Sequence, residues 1–293
     1  MELDRSRAGR RNLLLASLPA KDFALLAPHL KDIVLEQGAV LQEQGERIDQ
    51  VYFPHDGIIS LLAVMRQGDA IETATIGYEG AVGSFAGLGM RRAHTRAVVQ
   101  VRGSALRIAA SRFRKVAEES EAVCRIVVRY GEMLLIQVQQ TAACNALHPV
   151  EARLSRWLLQ ARDRVESNSI KLTHEFLSQM LGVRRTTVTV VANMLQQAGL
   201  IRYHRGHIEI IDRRGLEARV CECYEAIRRH IEEVTPGGQR LLKCNFSLRR
   251  IGSAASVRYP RGARRYEPVP WRPAFRAAAQ EPGWPRNRTA KFG

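Results

Sequence analysis

The twenty residues at 181–200, LGVRRTTVTVVANMLQQAGL, constrain the fold of this chain more than any other stretch, because they carry two opposed signals. Every residue from Thr186 to Val191 is β-branched, and such residues lose χ1 freedom in a helix and favour a strand. Yet Gly182 and Gly199 stand where helix C-terminal glycines belong, and Val188, Val191 and Leu195 recur at intervals of three and four. A helix of poor helix formers is stable only when tertiary packing holds one face of it. The stretch therefore predicts a helix inside a larger core.

The flanks supply that core. Pro149 opens the pattern PVEARLSRWLLQARDRV, with Leu154, Trp157, Leu158 and Ala161 on one face. KLTHEFLSQMLG follows, with Thr173 as a candidate N-cap, Glu175 in the first turn and Gly182 as the stop. After Gly199, LIRYHRGHIEII alternates about Arg205 and Gly206 as a two-stranded hairpin would. Helix, helix, tight turn, helix and hairpin is the order of a winged helix-turn-helix. On a wheel begun at Arg185, the positions Arg184, Val188, Val191 and Leu195 share the inner side. Arg185, Thr186, Thr189, Val190 and Asn193 share the outer side, a hydrogen-bonding and methyl-contacting surface suited to base edges in a major groove. Arg202, His204, Arg205 and His207 in the hairpin offer donors to phosphates. A plain helical hairpin with a solvated polar face is the bland alternative.

The remainder of the chain is of three kinds. Between about 33 and 108, the segments QVYFP, IISLLAVM, AIETATI and AVVQV alternate with glycines at a spacing of about ten residues, which indicates an antiparallel β domain. From 121 to 146 the period becomes 3.6. Val123, Val127, Tyr130, Leu134, Val138 and Thr141 form a stripe widened by Ile126, Met133, Leu135 and Ile136. So wide a stripe covers either its own domain alone or that domain and a second copy of the chain. Beyond residue 234 no periodicity survives. The last 59 residues hold seven of eleven prolines and thirteen Lys or Arg against Glu267 and Glu281, and so carry +11 of the formal charge of +16. A disordered basic tail is expected there. The overall basic balance points to a polyanionic partner.

No apolar run reaches about 18 residues, so the chain is expected to be soluble and cytoplasmic, with no membrane partner. No HExxH, GxSxG or P-loop pattern occurs, which argues against an enzyme. The five cysteines, Cys124, Cys144, Cys221, Cys223 and Cys244, suit reduced thiols better than a disulfide framework. Cys124 and Cys144 read as packing residues of the long helix. Cys221-Glu-Cys223 lacks a second pair along the sequence to complete a metal site, and no metal or other cofactor is expected.

Two segments, GAVLQEQGERIDQVYFPHDGIISL and LTHEFLSQMLGVRRTTVTVVANMLQQAGLI, resemble the CRP/FNR family of bacterial transcription regulators over roughly residues 13 to 233. The resemblance implies an α+β protein: an antiparallel β-roll sensor of cyclic-nucleotide-binding type at 1–120, a dimerisation helix at 121–147, a winged helix-turn-helix at 148–234, and the tail at 235–293. It further implies a homodimer on double-stranded DNA, with the helix at 184–198 in the groove and RNA polymerase as a further candidate partner. DNA contacts are then expected from Arg184, Arg185, Thr186, Thr189, Val190, Asn193, Arg202, His204 and Arg205. The effector pocket would be formed by Gly80, Ala81, Val82, Gly83, Arg91, Arg92 and Arg96. Family members that bind cyclic AMP place a glutamate on the ribose where this chain has Ala81, and RRAHTR does not reproduce the spacing of the phosphate arginine. An unpaired ribose hydroxyl costs about 1–3 kcal/mol, so the effector is expected to be something else. A cluster of iron and sulfur would need N-terminal cysteines, and none precedes Cys124. Haem would need an axial ligand such as His29, His55 or His94. Members reading TGTGA-like half-sites carry Arg-Glu and a further Arg; here Arg185 is followed by Thr186, and Val190 replaces the second arginine, so a different half-site is expected. The rival reading is a regulatory module of the same roll type that acts on a protein partner.

Overall fold

A computed structural model describes residues 12–165, 167–204 and 206–234. The expected tail at 235–293 and the candidate phosphate ligand Arg205 lie outside the described residues.

Two short helices, α1 (Leu13–Ala16) and α2 (Ala20–Leu26), precede seven strands. These are β1 (Lys31–Leu35), β2 (Val40–Gln42), β3 (Gln50–Pro54), β4 (Ile58–Val64), β5 (Ala70–Ile76), β6 (Arg96–Val101) and β7 (Gly103–Ala109). They form two antiparallel sheets, ordered β1-β7-β3 and β2-β6-β4-β5. QVYFP and AIETATI are β3 and β5, so the glycine-punctuated runs were strands as expected. The first five residues of β4 are all buried, because that strand is covered on both faces. One face meets the interior of the roll through Ile59, and Ile58 joins the core of the C-terminal helices.

Helix α3 (Ala110–Glu119) leads to α4 (Glu121–Leu147), 27 residues long, whose N-cap Ser120 accepts from the Val123 amide. Val123, Val127, Tyr130 and Met133 of its buried face join the core of the roll, and Gln137, Thr141 and Cys144 continue that buried face toward the C-terminus, Cys144 lying with Ala152, Cys221 and Cys223. Gln137 donates to the carbonyl and the hydroxyl of Thr75 on β5 at 3.1 and 3.0 Å. Leu134 and Val138, expected in the central stripe, flank it half-buried, and Leu135 is exposed.

His148 and Pro149 alone separate α4 from α5 (Val150–Val165). There follow β8 (Ser169–Lys171), α6 (His174–Leu181), α7 (Arg185–Gln197), β9 (Ile201–His204), β10 (His207–Ile210), α8 (Arg213–Glu217) and α9 (Cys223–Val234). Leu154, Trp157, Leu158, Leu177, Met180, Leu181, Val188, Val191, Leu195 and Ile208 share one core. The expected hairpin is part of a three-stranded sheet, β8-β10-β9.

Two buried carboxylates join the roll to α5. Glu79 Oε1 accepts from Arg164 Nε at 2.8 Å and lies 2.7 Å from Nη2, with both side chains at most 5% exposed. Glu72, on β5, accepts from the Ser60 hydroxyl and from Trp157 Nε1. Among the described residues no helix is long and apolar enough to cross a membrane.

Candidate nucleic-acid interface

The helix-turn-helix is set by its end groups. Thr173 caps α6 by accepting from the Phe176 amide at 3.3 Å, as its position suggested. Gly182 ends α6 at φ 60° and Gly199 follows α7 at φ 73°, left-handed conformations that glycine adopts without a Cβ penalty. The opposed signals of the β-branched run resolve by face. Val188, Val191, Ala192 and Leu195 are buried, while Arg185, Thr186, Thr189, Val190 and Asn193 are exposed. Arg184 is a correction: the wheel put it with the buried valines, but it is the N-cap, with extended backbone (φ −68°, ψ 148°) and an exposed side chain. A wheel assigns no face to a residue outside the helix. The exposed arc also reaches further than expected, to Met194. Val190 is 59% exposed on that face.

The outer face is partly organised by α6 and β9, which the sequence did not reveal. Thr189 Oγ1 donates to the Arg185 carbonyl at 3.0 Å and lies 3.1 Å from His174 Nδ1. A hydroxyl has one proton to give, so this network makes His174 Nδ1 the donor. Burial, and then the Arg185 charge, hold that imidazole below its ordinary pKa, and it stacks on Tyr203 with ring centroids 4.6 Å apart. Arg185 Nε is 3.7 Å from the Glu175 carboxylate, both well exposed. In the wing, His204 and His207 are exposed and Arg202 pairs with Glu209 across the strands at 2.8 Å. Strand β8 adds the exposed Lys171 opposite His207. Its three residues, in a polar stretch, carried no usable alternation.

The expected effector residues divide. Gly80, Ala81 and Val82 are buried and Gly83 is half-buried. Ala81 belongs to the apolar core with Leu15, Phe53 and Tyr130, and a Cβ on Gly80 would fall 2.8 Å from the Tyr130 ring. Arg91 and Arg92 are exposed. Arg92 donates to the Gly45 carbonyl at 2.9 Å, and Arg96 Nε donates to both Glu43 oxygens, which holds that carboxyl below its usual range. Arg92 and Arg96 are thus committed to the β2–β3 connection.

The model of the cyclic nucleotide-binding domain matches residues 32–120, and that of the Crp-like helix-turn-helix domain matches 152–219, in the order in which the roll and the reader occur here. The chain belongs to the CRP/FNR family of transcription regulators. Solved structures of similar fold include FixK2 from Bradyrhizobium japonicum, with 15% identity and a TM-score of 0.57 over 66% of this CRP/FNR chain and 98% of that one. A CRP/FNR-family regulator from Thermus thermophilus shares 21% identity with a TM-score of 0.54, over 64% and 97% of the two chains. The c-di-GMP responsive regulator CLP from Xanthomonas campestris shares 14% with a TM-score of 0.55, over 66% and 100%. No curated protein sequence matches this CRP/FNR regulator. At these identities the likeness is one of fold.

Proposed function

We propose that this regulator is a cytoplasmic homodimer that binds an inverted-repeat DNA site through α7 and is controlled by an effector other than cyclic AMP. The observation that carries the reading is the exposed face of α7, where Arg185, Thr186, Thr189, Val190 and Asn193 stand out on a helix whose other face is locked into a core. Arg185, at the first turn, suits bidentate contact with guanine, and Val190 and the threonine methyls suit the thymine methyl. Arg184 and the wing, including Arg202, His204 and Lys171, suit phosphates, which add affinity without sequence information.

The exposed face of α4 supports the homodimer. Arg125, Val128, Glu132, Leu135, Gln139, Ala142 and Ala146 alternate at intervals of three and four and are exposed. This 3.5-residue period is the seam a second α4 fits as a coiled coil, with Val128, Leu135 and Ala142 repeating every seven. A two-fold axis along such a seam relates the two α7 helices and calls for half-sites about one helical turn apart.

In vitro selection of DNA sites, repeated with Arg185→Ala, tests the reading. An inverted repeat should emerge, and the variant should lose about 1–3 kcal/mol of discrimination at one symmetric base-pair position. An unchanged preference profile would mean that α7 does not read the groove. Failure to select any sequence would favour a module acting on a protein partner.

A further inference from the structure

The lack of a second pair beside Cys221-Glu-Cys223 holds along the sequence but not in space. Cys144, in the last turn of α4, and His148, its C-cap, meet Cys221 and Cys223 at the start of α9. One ligand atom from each of the four lies within 4.8 Å of every other. Cys144 Sγ and Cys221 Sγ are 3.6 Å apart, and Cys223 Sγ is 3.5 Å from His148 Nδ1.

These separations can be compared with what a metal requires. Bond lengths of about 2.3 Å to sulfur and about 2.0–2.1 Å to nitrogen, at tetrahedral angles, give S···S edges of about 3.8 Å and S···N edges of about 3.6 Å. These two edges fall within about 0.2 Å of those values, and no edge of the group exceeds 4.8 Å, so a small inward closure of the side chains completes the tetrahedron. A disulfide would require sulfurs at about 2.05 Å. A four-iron cluster stands between its ligands and spreads them further than this group allows.

The surroundings are those of a metal-binding histidine. His148 Nε2 lies 3.3 Å from the Glu222 carboxylate, which fixes the Nε2–H tautomer and leaves the Nδ1 lone pair facing the sulfurs. Gln140 Nε2 donates to Cys223 Sγ at 3.0 Å. The three thiols are buried with Ala152 in a small cluster of their own, away from the larger cores. Two buried arginines, Arg153 and Arg156, interact electrostatically with Cys144, and the Nε of each has no hydrogen-bond partner among the described residues. Three thiolates, a neutral imidazole and a divalent cation sum to one negative charge. Buried guanidinium groups beside it offset what would otherwise be an uncompensated buried charge.

We propose that Cys144, His148, Cys221 and Cys223 bind one Zn²⁺ ion in a closed tetrahedral site. Binding releases three thiol protons and changes no oxidation state. All four positions are taken by protein, which leaves none open for water and makes the site structural. The ion fastens α9 to the end of α4 at the two-residue connection into the DNA-binding domain.

Metal analysis of the full-length protein, purified under reducing conditions, should find one zinc per protomer. After chelation, titration with Co²⁺ should produce the visible bands and thiolate charge-transfer absorption of a tetrahedral site, saturating at one equivalent. Cys144→Ser and Cys223→Ser should lower both to near zero. Cys124→Ser, on the same helix but outside the cluster, should keep them, and so should His148→Cys, which puts a thiolate in place of the imidazole. The proposal is overturned if the reduced wild-type chain holds no zinc and gives no Co²⁺ bands. It is equally overturned if both serine variants keep the metal, or if thiol counting shows Cys144 joined to Cys221 in its place. Because the Co²⁺ titration uses the unmutated chain, a serine variant that misfolds leaves the test intact.

Discussion

Glu72 offers a direct measurement of the contact between roll and reader. Its carboxyl is fully buried, and burial pushes its pKa up to about 7, against the opposing pull of the Ser60 hydroxyl, Arg156, Trp157 Nε1 and Arg164. A carboxyl raised in the folded state contributes its full stability below the unfolded value of about 4.5 and loses it as pH rises through the folded value. The whole displacement is worth about 3 kcal/mol, of which about 2.5 kcal/mol falls between about pH 5 and about pH 8. Glu72→Gln keeps the shape and does not titrate. Urea unfolding of both proteins at those two pH values, followed by far-ultraviolet circular dichroism, cancels every other titrating group in the difference between them. The parent should lose about 2–3 kcal/mol relative to Glu72→Gln on going to the higher pH. A difference that does not change with pH, or that changes the other way, would show that the arginines outweigh burial and that Glu72 is ionised in the fold.

Arg164→Met should destabilise by about 3–5 kcal/mol, because it strands the buried Glu79 carboxylate, whereas Arg164→Met with Glu79→Gln should recover most of that loss in the same unfolding assay. Glu175→Gln releases the exposed Arg185 and removes an acidic group beside the reading face. An exposed pair is worth about 0–1 kcal/mol, so affinity for the selected site, measured by fluorescence anisotropy, should rise up to about fivefold. Cyclic AMP at ten times a hypothetical dissociation constant would stabilise by about 1.4 kcal/mol, yet with Ala81 in the core the melting temperature should not move when millimolar nucleotide is added. A rise with cyclic AMP but not with AMP would contradict this.

The reader was legible in the sequence because its signals are local. Thr173, Gly182 and Gly199 mark ends by their own chemistry, and Val188, Val191 and Leu195 declare a face by spacing alone. Arg184 failed at a boundary, where periodicity no longer applies. Strand β8 was hidden because three residues cannot show an alternation. The metal-type cluster escaped for another reason: Cys144 and Cys221 are 77 positions apart, and only the return of α9 against α4 brings them together. Glu72 and Glu79 look like solvent-facing residues of a strand and a turn, and nothing in their immediate sequence states that α5 covers them. His174 was visible only as an unassigned residue in the first turn of α6, since its contacts come from Tyr203 and Thr189.

The short passage from α4 into α5 has a consequence for signalling. Pro149 forbids one continuous helix and His148 is extended (φ −105°, ψ 145°), so the two rods meet at a corner with no slack chain between them. A turn of α4 is delivered to α5 undamped, and α5 is also bolted to the roll by Glu79 and Arg164. If the reader is to swing away from the roll, that bolt must open, and both charges must then be met by water or by new partners. An effector can supply only the difference between its affinities for the two arrangements, and shifting a population from 1:99 to 99:1 takes about 5.5 kcal/mol. Weak metabolites that bind both arrangements nearly alike would leave this protein where it rests, and only a ligand about ten-thousandfold selective between the two would throw it over.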